Sequence, residues 1–225
     1  MARLARVIAP GYPHHVIQRG NRRQQTFFCD EDYAAYIRLT SEWCKKCNVE
    51  VWSYCLMPNH IDLIAVPGNE DGLRRSFGEA HRRYTNLNNT REKWTGYLWQ
   101  GRFKSYVLDN THLLIAERYI EMNSVKAQMV HNPKEWRWSS AKAHLEGKDD
   151  RLCTVLPLLE MAGIGWELFL QKTLTEEQIE TLRRCERTGR PAGSEKFVVL
   201  LERMLHRPLL PRKRGPKFKV KTKNN

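Results

Sequence analysis

A histidine and a carboxylate stand two residues apart in the segment His60-Ile61-Asp62. On a β-strand, side chains two residues apart point to the same face, so the imidazole of His60 and the carboxylate of Asp62 would lie side by side. Nitrogen and oxygen ligands of this kind suit Mg²⁺, Mn²⁺ or Zn²⁺. The plainer interpretation is a polar strand face on which His60 merely hydrogen-bonds Asp62.

A tyrosine and an asparagine form a second pair. Tyr119 and Asn123 are four residues apart, a spacing that stacks two side chains on one face of a helix. A tyrosine acts as a nucleophile only beside a metal or a base, because an ordinary phenol stays protonated at neutral pH. Asn123 offers a carbonyl oxygen to a metal. Alternatively, Tyr119 is a buried aromatic residue, since Ile115 precedes it on the same face.

Basic and aromatic residues are interleaved between residues 73 and 107, where eight Lys and Arg stand against two Glu. Cations bind phosphates and aromatic rings stack on unpaired bases, so this composition is typical of proteins that bind single-stranded or hairpin nucleic acid. A solvated basic helix face is the alternative. Together with a basic arm near the N-terminus, the candidate DNA contacts are Arg19, Asn21, Arg22, Arg23, Arg82, Arg83, Trp99, Arg102 and Lys104.

The chain as a whole is basic. Its 225 residues contain 38 Lys and Arg against 25 Asp and Glu, and this net charge of +13 favours a polyanionic partner, either nucleic acid or an anionic membrane surface. Residues 1–25 hold five cations and no acid, and residues 212–225 hold seven cations and no acid, which leaves +1 for the rest. The sequence predicts that residues 212–225 form a disordered basic tail.

Composition also excludes several classes of protein. The 41% of hydrophobic residues is enough for a packed core. The sequence has neither an apolar run of the roughly 18 residues that a membrane span needs nor a secretory signal, so we expect a soluble intracellular protein. Its six cysteines are expected to be reduced. Cys44 and Cys47 form a lone C-x-x-C pair, which favours packing as small apolar residues over a zinc site.

The periodicity of apolar residues predicts the elements that would position these groups. Strands are predicted at 15–18, 49–55 and 60–66 and after Gly101, and helices at 33–46, 73–87 and 112–123. This order fits an α+β fold with helices against an antiparallel sheet rather than a doubly wound parallel sheet. Beyond a linker at 147–150, three helices are predicted at 154–162, 175–187 and 194–205. We divide the chain into a catalytic domain at 1–145, a helical accessory region at 146–211 and the tail.

Taken together, these segments resemble the Y1 (IS200-like) transposases of the HUH superfamily, and most closely the REP-associated tyrosine transposases. The resemblance is carried by the ordered runs HVIQRGNR at 15–22, YCLMPNHIDL at 54–63, LWQGRFKS at 98–105 and RYIEMN at 118–123. It covers most of residues 10–145 and, more loosely, the C-terminal part. Several ordered runs at matching separations are far more specific than any single motif.

The resemblance implies a ferredoxin-like HUH fold with a C-terminal helical extension. It implies a metal-dependent enzyme that nicks and rejoins single-stranded DNA beside hairpins, in which Tyr119 attacks the scissile phosphate and forms a 5′-phosphotyrosine link. His60, Asp62 and Asn123 would hold Mg²⁺ or Mn²⁺. Hairpin DNA is the expected partner, with no membrane and no small-molecule cofactor. Family members often act as homodimers, and we expect the protein in the bacterial cytoplasm, at the nucleoid.

Two residues depart from the family pattern. The family has a second histidine where this chain has Asp62, and it commonly has proline where this chain has Ser124, a change of little expected consequence. Aspartate suits a hard cation, but it adds a negative charge near a phosphate. Two rival functions therefore stay open: a protein of the same fold that binds hairpins without cutting them, and a metal-dependent phosphodiesterase that uses an activated water.

Overall fold

Six elements form the first half of the chain in the computed structural model, which describes residues 5–210; the predicted tail at 212–225 lies outside the described residues. These elements are β1 (His14–Arg19), α1 (Asp30–Lys46), β2 (Val49–Met57), β3 (His60–Pro67), α2 (Gly72–Glu92) and β4 (Lys104–Val107). Each corresponds to a predicted strand or helix, although α2 continues beyond its predicted end at residue 87 to Glu92.

The four strands form one antiparallel sheet in the order β2-β3-β1-β4. A strand-helix-strand-strand-helix-strand chain with this sheet order is the ferredoxin-like fold, so the predicted α+β fold is confirmed. Helices α1 and α2 pack side by side on one face of the sheet, where Tyr36 and Phe77 meet Leu63 in the core. Cys44 and Cys47 are both buried in this same core.

The other face of the sheet is covered by the rest of the chain. Its helices are α3 (Asn110–Glu121), α4 (Asn123–Lys126), α5 (Ala141–Glu146), α6 (Leu156–Ala162), α7 (Trp166–Gln171), α8 (Glu176–Thr188) and α9 (Glu195–Met204). The three helices predicted in the C-terminal region are present as α6, α8 and α9, but the prediction missed α7. This helix has only six residues and no side-chain cap, so nothing in its sequence marks where it begins.

The C-terminal helices share a hydrophobic core with the sheet. Leu158 of α6, Trp166 of α7 and Leu182 of α8 pack in one cluster with Ile17 of β1 and Ile120 of α3. The C-terminal region therefore helps to build the face of the sheet that carries residues 60 and 62. Within residues 5–210, every helix is too short or too polar to span a bilayer.

Candidate active site

One face of the sheet gathers polar side chains from three strands. Alternation along β3 places His60 and Asp62 on the face covered by α3 and α8. The antiparallel register sets Arg19 of β1 opposite His60, and Ile17 opposite Asp62. On the far side of β1, Lys104 of β4 stands opposite Ile17. Two cations and a His–carboxylate pair therefore lie side by side on this face.

His60, Asp62 and Asn123 meet at the start of β3. Nε2 of His60 lies 3.4 Å from Oδ2 of Asp62, and the amide nitrogen of Asn123 lies 3.2 Å from Nε2 and 3.5 Å from Oδ2. Nδ1 of His60 donates to the side-chain oxygen of Asn59 at 2.6 Å, which directs the lone pair of Nε2 toward the other two groups. Burial lowers the pKa of His60 and so favours the neutral imidazole, the form that ligates metals.

This donor set fits a divalent cation. An imidazole nitrogen, a carboxylate oxygen and an amide group at separations of 3.2–3.5 Å come close to the spacing of about 3 Å between neighbouring ligands of an octahedral ion such as Mg²⁺. To act as a ligand, the amide of Asn123 would turn over and present its oxygen in place of its nitrogen.

Asn123 reaches this position through a break in the helix. Asp109 caps the start of α3 by accepting a hydrogen bond from the backbone N–H of His112, and the helix ends at Glu121. Met122 has φ −84° and ψ 3°, and α4 begins at Asn123. The predicted continuous helix over 112–123 was therefore wrong at its end, because Met122 leaves helical geometry.

Tyr119 lines an open cleft of about 640 Å³ together with His60. Burial raises the pKa of Tyr119, and the negative charge of Asp62 raises it further, whereas the charges of Arg19 and Arg183 oppose both effects. The phenol is therefore protonated at neutral pH. It must lose its proton when its oxygen acts as a nucleophile.

A buried histidine, His15, hydrogen-bonds Asp62 through the oxygen that does not face His60. Nε2 of His15 donates to Oδ1 of Asp62 at 2.9 Å, and Nδ1 of His15 accepts from the hydroxyl of Tyr106 at 2.7 Å. Burial would raise the pKa of Asp62, but the hydrogen bond from His15 and the charge of Arg19 hold that pKa below its ordinary value. Asp62 is therefore ionised, with Oδ1 fixed and Oδ2 turned toward His60.

The cleft around Tyr119 is basic, and α8 forms one of its walls. The other lining residues include Arg19, Arg23, Asn59, Gln100, Lys104, Arg183, Glu186 and Arg187. Glu186 lies 2.9 Å from Lys104 and 3.5 Å from Arg19. Burial would raise the pKa of Glu186, but these two cations hold it below its ordinary value. The ionised carboxylate of Glu186 thus forms ion pairs with two of the cations that face the cleft.

Most of the predicted DNA contacts lie in or beside this cleft. Those in it are Arg19, Arg23 and Lys104, and those beside it are Asn21, Arg22 and Arg102. Arg82 and Arg83 extend instead from α2 on the far side of the sheet, where both lie near the carboxylate of Glu79. These two residues therefore belong to a different surface from Tyr119.

The basic arm after β1 has an unusual backbone. A Cβ on Gly20 would lie 2.2 Å from the carbonyl oxygen of Gln24, so the turn requires a glycine. Arg22 and Arg23 follow with φ of 52° and 61°. Left-handed conformations are costly for such residues and are concentrated at functional sites.

Trp99 was predicted to contact DNA, and this prediction was wrong because its side chain is buried. Its side chain is 6% exposed and packs 5.1 Å from the ring of His81 in the aromatic core beneath α2. The exposed rings of this segment belong instead to Trp94 and Tyr97, which are 49% and 88% exposed. Interleaved aromatic residues in the sequence did not distinguish core rings from surface rings.

Several residues of the site were not predicted from the sequence. The register of the strands brings His15 and Tyr106 to Asp62. The one local signal was the strand period of two, which puts His15 on the same face of β1 as residues 17 and 19. Arg183 and Glu186 come from a helix whose alternating charges are typical of any exposed helix. No local pattern connects α8 with the strands that it covers.

Comparison with solved structures agrees with the ferredoxin-like architecture. A REP-associated tyrosine transposase bound to a REP hairpin matches with a TM-score of 0.57 and 19% identity, covering 68% of this chain and 92% of that one. A proposed transposase of Deinococcus radiodurans R1 has a TM-score of 0.37 and 16% identity over 57% of this chain and 94% of that one, which is too low to carry an argument. No curated protein sequence matches the chain.

The family comparison covers the segment that carries the site. A family model described as IS200-like transposase matches residues 10–123, which is half of the chain and extends from β1 to Asn123. The fold and this match define a transposase, the class of enzyme that cuts and joins DNA strands. The chain belongs to the IS200-like transposase family.

Proposed function

We propose that this transposase nicks and rejoins single-stranded DNA beside a hairpin through a 5′-phosphotyrosine on Tyr119, with Mg²⁺ or Mn²⁺ held by His60, Asp62 and Asn123. The observation that carries the proposal is the convergence of these three side chains within 3.5 Å beside a basic cleft that Tyr119 also lines. The REP hairpin bound to the structural neighbour supports hairpin DNA as the substrate.

The cleavage step exchanges one phosphate ester for another. The oxygen of Tyr119 bonds to phosphorus, the bond from phosphorus to the 3′ oxygen breaks, and the 3′ oxygen takes up a proton as the phenol releases one. A bound divalent cation would polarise the phosphate and stabilise the departing oxygen. Arg19 and Arg183, whose charges lower the pKa of Tyr119, favour loss of its proton. Attack by a free 3′-OH reverses the step and rejoins strands.

Substrate binding requires the cleft to exchange its internal ion pairs for phosphates. Glu186 now neutralises Arg19 and Lys104, so a phosphate that reaches these cations must displace a carboxylate. Arg187 is paired with Glu180, but Arg23 and Arg183 stay available for the first encounter with DNA. Binding is therefore expected to weaken steeply as the salt concentration rises.

A hairpin-binding protein with a weakened catalytic site is the second candidate. The observation that favours it is the state of Asp62, which stands where the family has histidine and already engages His15 through Oδ1. A labelled hairpin with a single-stranded flank, incubated with Mg²⁺ or Mn²⁺, separates the two candidates. We expect a nick and a covalent protein–DNA adduct that survives SDS. Tight binding without either product in both metals would support the binding protein.

Removing the support behind Asp62 is expected to weaken metal binding. In His15→Phe, the donor to Oδ1 is lost while an aromatic ring is kept, so the Mn²⁺ concentration for half-maximal cleavage should rise about 10- to 100-fold. The rate at saturating Mn²⁺ should change less. His131→Phe, the same change at an exposed histidine outside the catalytic cleft, is the matched control. An unchanged Mn²⁺ requirement in folded His15→Phe protein would contradict this role.

A second cleft offers surfaces for unpaired bases. Its exposed rings are Phe28, Trp94 and Tyr97, and its amide side chains include Asn21, Gln24, Gln25 and Asn89. The rings of Phe28 and Trp94 are 5.5 Å apart. Asn21 connects this cleft with the basic arm that ends at Arg23 in the catalytic cleft. We expect unpaired nucleotides of the substrate to stack here while amides contact base edges.

Loss of these rings should weaken binding only where bases are unpaired. Trp94→Ala and Tyr97→Ala should each weaken binding of a hairpin with a single-stranded flank by about 1–3 kcal/mol per stacked base. Binding of a fully paired duplex should change little, and Leu168→Ala, at an exposed apolar residue on α7, is the control. Fluorescence anisotropy with the two DNAs measures the difference. Equal losses on both DNAs would contradict base stacking.

A further inference from the structure

A separate group of metal-ligating side chains lies buried beneath α3. One oxygen of Glu117, one oxygen of Glu121 and one ring nitrogen of His144 lie within 4.8 Å of one another. The two glutamates are 0% exposed and His144 on α5 is 1% exposed. The group shares no residue with His60, Asp62 and Asn123, so it is distinct from the candidate active site.

Glu121 accepts three hydrogen bonds, and one of them sets the proton position on His144. Its Oε1 accepts from Ser140 Oγ at 2.6 Å and from His144 Nδ1 at 2.7 Å, and its Oε2 accepts from Trp166 Nε1 at 2.8 Å. A carboxylate only accepts hydrogen bonds, so Nδ1 of His144 carries the proton and Nε2 presents a lone pair. Metal-ligating histidines commonly donate their other ring nitrogen to a carboxylate in this way.

Three buried atoms of the group have no hydrogen-bond partner among residues 5–210. Neither carboxyl oxygen of Glu117 makes a hydrogen bond of normal geometry there, and neither does Nε2 of His144. Burial raises the pKa of Glu117 well above its ordinary value, and Glu121 raises it further through its charge and a side-chain contact, whereas a contact with Ser53 lowers it. A buried carboxyl group is neutral, is paired with positive charge or coordinates a metal.

We propose that Glu117, Glu121 and His144 bind a divalent transition-metal ion. Two carboxylates balance the charge of such an ion, and a set of carboxylate oxygens with one imidazole nitrogen suits Zn²⁺ and its neighbours in the first row. The ion has a structural role, since the site is closed to solvent. It joins α3, which carries Tyr119, to α5 and, through the bond from Trp166 to Glu121, to α7.

The test measures metal in a protein whose candidate active site is disabled. His60→Ala/Asn123→Ala protein is incubated with Zn²⁺ or Co²⁺, desalted and analysed for metal content. We expect one ion per chain, with the d–d absorption bands of Co²⁺ in a protein site. Adding Glu117→Gln should abolish both, whereas adding Glu70→Gln, at an exposed loop residue, should leave them unchanged. A chelator should lower the Tm of the metal-loaded protein by several degrees but not that of the Glu117→Gln protein.

Two results would contradict a metal site at Glu117, Glu121 and His144. Absence of stoichiometric metal from the double variant after incubation would overturn the proposal, and so would retention of the metal in Glu117→Gln protein. The metal content of the double variant decides the question even if Glu117→Gln fails to fold.

Discussion

Replacing Tyr119 with phenylalanine is expected to remove both the covalent protein–DNA adduct and cleavage of a hairpin substrate, with a loss of at least about 1,000-fold in rate. The phenol oxygen is the atom proposed to bond to phosphorus, and no other atom of the side chain can replace it. Phenylalanine keeps the half-buried ring that packs against the core beneath α3, so folding and hairpin affinity should stay near wild type. Single-turnover cleavage with Mn²⁺ measures the effect.

Tyr12→Phe is the matched control, because Tyr12 packs against Phe197, away from the cleft. Its cleavage rate and adduct yield should equal those of the wild type. Cleavage by Tyr119→Phe protein without any adduct would support the metal-dependent phosphodiesterase with an activated water. An adduct that persists in this variant would mean that another residue is the nucleophile.

Replacing Asp62 with asparagine is expected to separate cleavage from binding. The change removes the one charged metal ligand while keeping an oxygen that can accept from His15, so cleavage should fall by about 100-fold or more and should recover partly at high Mn²⁺. Hairpin binding without metal should stay equal or become tighter, because a negative charge beside the phosphate site is lost. Cleavage rates over a Mn²⁺ titration and anisotropy in a chelator measure the two effects.

Asp71→Asn is the control for this change, since Asp71 is an exposed partner of Arg74 at the start of α2. Asp62→His adds a second test by restoring the histidine of the family pattern. If the site uses a metal, this variant should retain cleavage with an altered preference among Mg²⁺, Mn²⁺ and softer cations. Equal cleavage by wild-type and Asp62→Asn proteins at every Mn²⁺ concentration would contradict the role of Asp62 as a ligand.

Local periodicity was sufficient to predict the sheet. Strands and helices of the first half have strong alternating or helical patterns, and the strand period of two correctly placed His60 and Asp62 on one face. The order of these elements then excluded a doubly wound sheet and indicated helices against an antiparallel sheet, whereas the ferredoxin-like topology was implied by the family resemblance. Such features depend on near neighbours in the chain, which is why a single sequence reveals them.

The rest of the site depends on contacts between distant segments, and no local pattern encodes these. His15 meets Asp62 only because β1 and β3 pair in one register. Glu186 reaches Lys104 across more than 80 residues of intervening chain, and the burial of Trp99 depends on how its loop folds over α2. Asn123 lies beyond the end of α3 and still reaches His60, a result that ideal helix geometry did not predict.

The identity of the residue that becomes attached to DNA shows directly whether Tyr119 is the nucleophile. Protein trapped on a hairpin with Mn²⁺ can be digested with trypsin and nuclease and analysed by mass spectrometry. Cleavage after Arg118 and Lys126 releases a peptide of residues 119–126 in which Tyr119 is the one tyrosine. We expect a nucleotide joined through its 5′ phosphate to this tyrosine. A nucleotide on any other residue, or nicked DNA without a modified peptide, would contradict it.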